Sequence, residues 1–275
     1  MKVEGRLAGT WTLALLLGLS PAITSDVVLE VAPGTVVRWH GLGTESCSAF
    51  GRSWLPVAGT CWFPIDLLQP AGLATLSRTR LGEVESVPIR IGPYPYPVQE
   101  LTVDDSMVNL SAQDLARADA EERRVAALWD RAGPRRFTLP LHPPLRRLAP
   151  GRSFGARRIF NGEPRSPHSG VDYRAAAGTP VETAAAGRVV LAENHFFSGN
   201  SVYVDHGGGM VSMYFHLDTM AVVEGDDVER GQAVGTVGST GRSTGPHLHF
   251  GLRWQGARID PGLLLGPIES TPAVR

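Results

Sequence analysis

Between residues 26 and 92 the apolar positions come in short runs cut by turn residues, without helical spacing. "DVVLEVAPGTVVRWHG" carries two β-rich runs around Ala32-Pro33-Gly34, and "VESVPIRIG" closes the region with another. This predicts a small all-β unit of sandwich type over 26–98. Its function is not readable from these residues. "PYPYPVQ", 93–99, is a proline-rich break and marks a boundary. The period then changes. Leu115, Ala118, Val125, Leu128 and Trp129 recur at helical spacing, Ser111 with Asp114 three residues on resembles a capping box, and Gly133-Pro134 stops the run. A linker with one helix is therefore expected over 99–135, with the apolar stripe of that helix serving as core.

From about Ser153 to Pro261 the chain is rich in glycine and β-patterned. "GRVVLAEN", "NSVYVDHG", "MVSMYFHL", "QAVGTVG" and "HLHFGLRW" are strand candidates with turns between them. A curved antiparallel sheet with little helix follows, in a domain over 136–275. The expected fold class is mainly β: an N-terminal β-sandwich-like domain, a linker helix, and a C-terminal domain built on that sheet.

Composition narrows the picture without redirecting it. A chain of 275 residues can bury two modest cores, and 43% hydrophobic with 19% charged residues is ordinary for a globular protein. A net charge of -1 gives no drive toward nucleic acid or an acidic membrane, and nucleic acid is not expected as a partner. The charge is uneven, however. Residues 99–130 hold eight acids against three arginines, whereas Arg131 to Arg165 holds nine arginines against Glu163 alone. A basic stretch could steer an anionic polymer; a solvated face paired with the acidic helix is the expectation preferred here.

The first residues, "MKVEGRLAGTWTLALLLGLSPAITSD", combine a weakly basic start, a short apolar run from Leu7 to Leu19, and small residues after it. That is a signal-peptide pattern over 1–25, too short to span a membrane permanently. The expectation is export, foremost to a periplasm, and otherwise secretion or anchoring by an uncleaved signal. Export also makes a disulfide between the two cysteines, Cys47 and Cys61, a reasonable expectation.

The chemistry concentrates near the end. In "GPHLHFG" alternation puts His247, His249 and Gly251 on one face of a strand, with Leu248, Phe250 and Leu252 on the other. One face is suited to burial, and the other presents two imidazoles side by side. "PHSGVDYRA" places His168 and Asp172 four apart on an extended chain, where both can converge on one point. "SMYFHLD" adds His216 at the end of a strand. Imidazole with carboxylate suits zinc, and three protein ligands with one open position mark a catalytic rather than a structural site. One partition takes His168, Asp172 and His249 as ligands and leaves His216 and His247 for proton transfer. Spacing alone does not choose among the five, and the reading from residues stops at a zinc hydrolase.

"HSGVD", "YFHL" and "GPHLHFG", in this order and at these separations, resemble the lysostaphin-like, LytM-type murein metallopeptidases. "GTPV", "GRVV", "VYVDHGGG" and "GDDVERGQAVGTVGSTGRSTGPHLHFG" extend the resemblance to about residues 150–262. The resemblance implies a zinc cofactor held by His168, Asp172 and His249, with His216 and His247 as the catalytic pair. It implies peptidoglycan as substrate, cleaved at amide bonds of its peptide crosslinks, with D-alanyl bonds to a diamino acid preferred. Some members of such families have lost ligands and activate other wall hydrolases, so a regulator with cell-envelope protein partners is the alternative; here all five positions are intact. "VEGDDVERGQAVGTVG" also resembles a lipoyl or biotinyl carrier, but such a carrier needs a lysine, and the only one is Lys2. Among the remaining candidates, His206 is read as strand-end structure, and His195 as a surface-loop residue in preference to one bordering the groove. Asn161 and Arg157 precede the site without an assigned role, and His40 and His142 lie outside the motifs.

Overall fold

A computed structural model describes residues 28–129, 131, 133–148 and 153–274, so the expected signal peptide lies outside the described residues. The first unit contains strands β1 (Leu29–Val31), β2 (Val36–His40), β3 (Thr44–Ala49), β4 (Arg52–Trp54), β5 (Thr60–Pro64), β6 (Gly72–Arg80) and β7 (Glu83–Ile91). Five of them form one sheet in the order β1-β7-β6-β3-β4, and β2 pairs with β5 in a second sheet. Their inward residues, among them Val37, Phe63, Leu76 and Ile89, are fully buried. A disulfide from Cys47 on β3 to Cys61 on β5 ties the two sheets together.

The proline-rich break is followed by β8 (Val98–Leu101), helix α1 (Ala112–Ala126), β9 (Arg157–Phe160) and β10 (Glu163–Pro164). The Tyr94 hydroxyl donates to Gly155 O at 2.5 Å and the Tyr96 hydroxyl to Pro33 O at 2.7 Å, so the break is tied down on both sides. Strand β8 pairs in parallel with β9. Ser111 caps α1 as its sequence predicts: its Oγ accepts from Asp114 N at 3.1 Å and donates to the Asp114 carboxylate at 2.7 Å.

The apolar stripe of the helix departs from expectation. No residue of α1 is buried, and Leu115 is 53% exposed. Only the end of the stripe works as core, where Val125, Leu128 and Trp129 pack on Tyr203, Val211 and Met213. Among the described residues, the arginines after the helix form no ion pair with it either. Arg131 meets Asp205, Arg136 meets Asp227, Arg146 meets Glu182 and Arg158 meets Asp172, all acids of the later sheet.

That sheet holds β11 (Gly170–Arg174), β12 (Pro180–Glu182), β13 (Gly187–His195), β14 (Gly199–Asp205), β15 (Met210–Met220), β16 (Asp227–Val228), β17 (Ala233–Val237), β18 (His247–Trp254) and β19 (Ala257–Arg258). Its main path is β11-β18-β15-β14-β13-β16, antiparallel throughout, with β12, β17 and β19 joined to it. The architecture is mainly β, as expected. Leu248, Phe250 and Leu252 are fully buried, which leaves the opposite face of β18 to His247 and His249. The core behind the sheet also receives Val36, Val57, Trp62 and Leu67 from the first unit. Trp62 stacks near Trp254 at 6.4 Å, and Asp66 takes two hydrogen bonds from the Arg258 guanidinium, each 3.0 Å. Among the described residues no helix is long and apolar enough to cross a membrane.

Candidate active site

The register of β11 against β18 sets Asp172 directly opposite His249, and β15 sets Phe215 on the other side of His249. Three strands therefore meet at one imidazole, which lies flat against the Phe215 ring with centroids 5.1 Å apart. His168 enters just before β11. Its Nε2 is 2.7 Å from His249 Nδ1 and 3.0 Å from Asp172 Oδ1, and His249 Nδ1 is 2.9 Å from the same oxygen. Gly170 is required in between. A Cβ there would sit 2.6 Å from both His249 Nε2 and the Phe250 carbonyl oxygen, which explains the glycine of "HSGVD".

Hydrogen bonds from outside the triangle fix its orientation. His168 Nδ1 is 2.8 Å from the Ser153 carbonyl, to which only a protonated Nδ1 can donate; Nε2 then keeps its lone pair. Burial pushes the His168 pKa down to about 4, so the ring is neutral near pH 7. Burial opposes ionisation of Asp172, yet its close contacts with His168 and His249 prevail and hold its pKa well below the usual carboxylate range. Arg158 donates to the second carboxylate oxygen at 2.9 Å, and the Ser153 hydroxyl accepts from the Asp172 amide at 2.9 Å. Neither Arg158 nor Ser153 was singled out from the sequence. Ser153 lies fifteen and nineteen positions from the groups it orients, a separation at which no local pattern operates.

His216 arrives by a different device. Between the pairs Asn200–Leu217 and Val202–Tyr214, β15 has two residues, Phe215 and His216, where β14 has Ser201 alone. This is a β-bulge, and His216 adopts a left-handed φ of 60° within it. Strict alternation would place His216 on the buried face with Tyr214. The bulge instead brings its ring to 4.7 Å from that of His247 and 6.2 Å from that of His249. His216 Nδ1–H donates to the Thr240 carbonyl at 2.8 Å, which leaves Nε2 as an acceptor. Burial, followed by the neighbouring charges of His249 and His247, lowers its pKa to about 3. His247 Nδ1 is likewise 2.8 Å from a carbonyl, that of Gly245, and its Nε2 is 3.8 Å from Asp172 Oδ1.

All five predicted residues thus converge. His168, Asp172 and His249 form the one group able to hold a metal ion among the described residues. The donor chemistry fits zinc: two imidazole nitrogens and a carboxylate oxygen, with a cation relieving the crowding of electron pairs within 3.0 Å. The other candidates lie elsewhere. His206 is fully buried between Ala186 O and Ser212 Oγ, in keeping with a structural part. His195 is not the surface residue preferred from the sequence; it is buried at the end of β13 against Glu193 and Tyr203, and it lines a cavity with His168 and His249, which fits the groove-bordering alternative. Asn161 clamps both the N–H and the C=O of Val103, and Arg157 stacks on Tyr94. His40 pairs with Thr60, and His142 with Glu182.

Two cavities flank the histidines, of about 650 Å³ and 590 Å³, and Arg158 and Arg242 line both. Met107, Leu115 and Ala118 line the second, so the exposed half of the α1 stripe faces a groove.

Comparison with known proteins agrees with this geometry. The model of peptidase family M23 matches residues 166–261. The chain is 41% identical over 109 residues to the peptidoglycan DD-endopeptidase ShyA of Vibrio cholerae, covering 39% of this chain and 25% of that one. It is 43% identical over 94 residues to the DD-carboxypeptidase/endopeptidase Mpg of Neisseria meningitidis, covering 34% and 22%. The match thus spans about a quarter of these curated relatives. A Pseudomonas aeruginosa crystal structure assigned to peptidase M23 is similar over 86% of this chain and 95% of that one, with 30% identity and a TM-score of 0.65.

Proposed function

Because the chain belongs to peptidase family M23, we propose that it is a zinc-dependent endopeptidase that hydrolyses amide bonds in the peptide crosslinks of peptidoglycan. In this reading His168, Asp172 and His249 hold the metal, and His216 and His247 move the proton. The observation that carries it is the juxtaposition of a three-donor cluster within 3.0 Å with two further imidazoles whose rings are 4.7 Å apart. Zinc, when bound, would polarise the scissile carbonyl and acidify water in the groove.

The chain's own groups supply the rest. Thr240 O and Gly245 O anchor the Nδ1–H groups of His216 and His247, so each ring presents Nε2 toward the reacting atoms. A ring nitrogen accepts the proton that water loses as its oxygen bonds to the carbonyl carbon. The same proton is then delivered to the leaving nitrogen as the C–N bond breaks. Donation to the oxyanion by the neighbouring ring in the interval requires it to carry a proton on Nε2 as well, as imidazolium, because its Nδ1–H is already given to a backbone carbonyl.

The names of the Vibrio and Neisseria relatives favour a D-alanyl bond to a diamino acid as the bond cut. Residues 26–98 and 99–135 would form the accessory domain and linker of a peptidase domain over 136–275, exported behind a signal at 1–25. The test is digestion of purified sacculi by the mature protein, with and without a zinc chelator, read by mass spectrometry. Crosslink-derived peptides that vanish on chelation are the expected result. Intact sacculi with zinc bound would overturn the enzyme reading in favour of a regulator.

A further inference from the structure

Several guanidinium groups around the later sheet, among them those of Arg131, Arg136, Arg158 and Arg188, have a carboxylate partner. Arg165 and Arg242 do not. Among the described residues neither lies within ion-pair distance of an acid, although Asp119, Glu121 and Glu122 line the same cavity. Arg242 is set in place by two aromatic rings, with its guanidinium 4.4 Å from the centroids of both Phe160 and Phe197. It is largely buried, and burial together with the charges of Arg158 and Arg165 depresses its pKa to about 10. A cation clamped, half-desolvated and pressed against two others is costly unless an anion joins it.

The hydrogen bonds these arginines do make show where an acceptor goes. Arg242 donates to Met107 O at 3.3 Å, and Arg165 to Val108 O at 3.2 Å. Two consecutive neutral carbonyls thus engage one N–H of each fork, and among the described residues the other four N–H groups on each side chain have no protein acceptor. Arg242 lines both cavities, one shared with His247 and the other with His249. A planar fork held rigidly beside a peptide-cleaving groove matches the geometry of a carboxylate.

We propose that Arg242, with Arg165 beside it, is a carboxylate-binding subsite that seats an anionic group of the substrate peptide next to the scissile amide. This rests on the peptidoglycan reading above and adds to it what selects the crosslink. A diamino acid that bears a carboxylate on the same carbon as the leaving nitrogen places that anion directly beside the bond to be cut. A diamino acid with a single carboxylate, already spent in the main chain, offers none there. The carboxylate at the end of a peptide stem is the second source of the same chemistry.

The test uses the full chain carrying His247→Ala, so that peptides survive the measurement, loaded with zinc and titrated by calorimetry. Three synthetic crosslinked peptides are compared: one with all carboxylates free, one amidated beside the crosslinking nitrogen, and one amidated at the stem terminus. Amidation beside the nitrogen is expected to weaken binding roughly 10- to 100-fold, the range of a charged hydrogen bond. Adding Arg242→Gln should erase that difference, and Arg242→Lys should restore part of it. If terminal amidation proves the sensitive one and Arg242→Gln erases it, the subsite stands with the other source named. Equal binding of all three peptides, no binding, or discrimination that survives Arg242→Gln would overturn it. Thermal melts verify folding, with Arg165→Gln as the second variant should Arg242→Gln not fold. Turnover by the unmutated chain is followed in parallel. Discriminating binding without hydrolysis would sink the peptidase reading while leaving the subsite intact.

Discussion

Arg158 holds one oxygen of Asp172 at 2.9 Å while the other oxygen faces His168 and His249. The arginine therefore decides which oxygen of the carboxylate is free to ligate. Arg158→Ala should reduce zinc affinity roughly 10- to 100-fold, the usual effect of losing a group that orients a ligand. Competition with a chromophoric chelator would measure it; unchanged affinity would show that Ser153 alone orients Asp172.

Ligand and proton-transfer roles separate in a second experiment. His249→Ala should lose both metal and activity. His247→Ala should keep zinc and lose about 10²- to 10⁴-fold in turnover, the worth of a general acid–base group. Metal content and turnover measured on the same samples decide it. Depleted zinc in the His247 variant would mean the two roles are reversed.

The disulfide lies in the first unit, away from the five residues of the candidate site. Cys47→Ser should lower unfolding free energy by about 3 kcal/mol in the chain-entropy model. Zinc content should not change. Denaturant titration alongside metal analysis checks both halves of this expectation.

Acid should destabilise the fold through His206, whose complete burial depresses its pKa to about 4. An unfolded histidine takes up its proton near pH 6.5. Between those values the unfolded state binds a proton that the folded state refuses, so stability falls as pH drops from about 6.5 toward 4. The lost contribution is on the order of 3 kcal/mol when the whole window is crossed. His206→Gln should flatten the slope of stability against pH from 7 to 5 in urea titrations. An unaltered slope would assign the acid sensitivity to other groups.

Much of the site was legible because its residues obey short-range rules. Alternation alone separated His247 and His249 from Leu248, Phe250 and Leu252, and the structure buries those three completely. The N-cap at Ser111 depends on four consecutive positions and appeared as read, with Asp114 returning to the Ser111 hydroxyl and not to its backbone N–H. The failures have a common physical cause, which is that the deciding partner is distant in sequence. The helical stripe promised a core, but whether Leu115 is covered depends on how far α1 stands from β14 and β15, and that distance is set by tertiary packing. The basic stretch was read with the neighbouring acidic helix, whereas its arginines found Asp172, Glu182, Asp205 and Asp227 across the fold. Arg158 is one of nine arginines in its stretch, and only its contact with Asp172 across the fold distinguishes it.

Tyr214 and Leu217 are three positions apart on one strand, yet both are fully buried in the same core. In a regular strand, odd separations point to opposite faces. The extra residue at Phe215-His216 acts as a frameshift in a two-state code: before it the strand is read in one phase, after it in the other. A single-residue deletion there would restore regular alternation and keep Tyr214 and Leu217 both in the core, opposite the same residues of β14. One position would then stand on the groove face where two stand now, so either the Phe215 ring that stacks on His249 or the His216 imidazole beside His247 would be lost. The fold can therefore do without the extra residue; the site cannot.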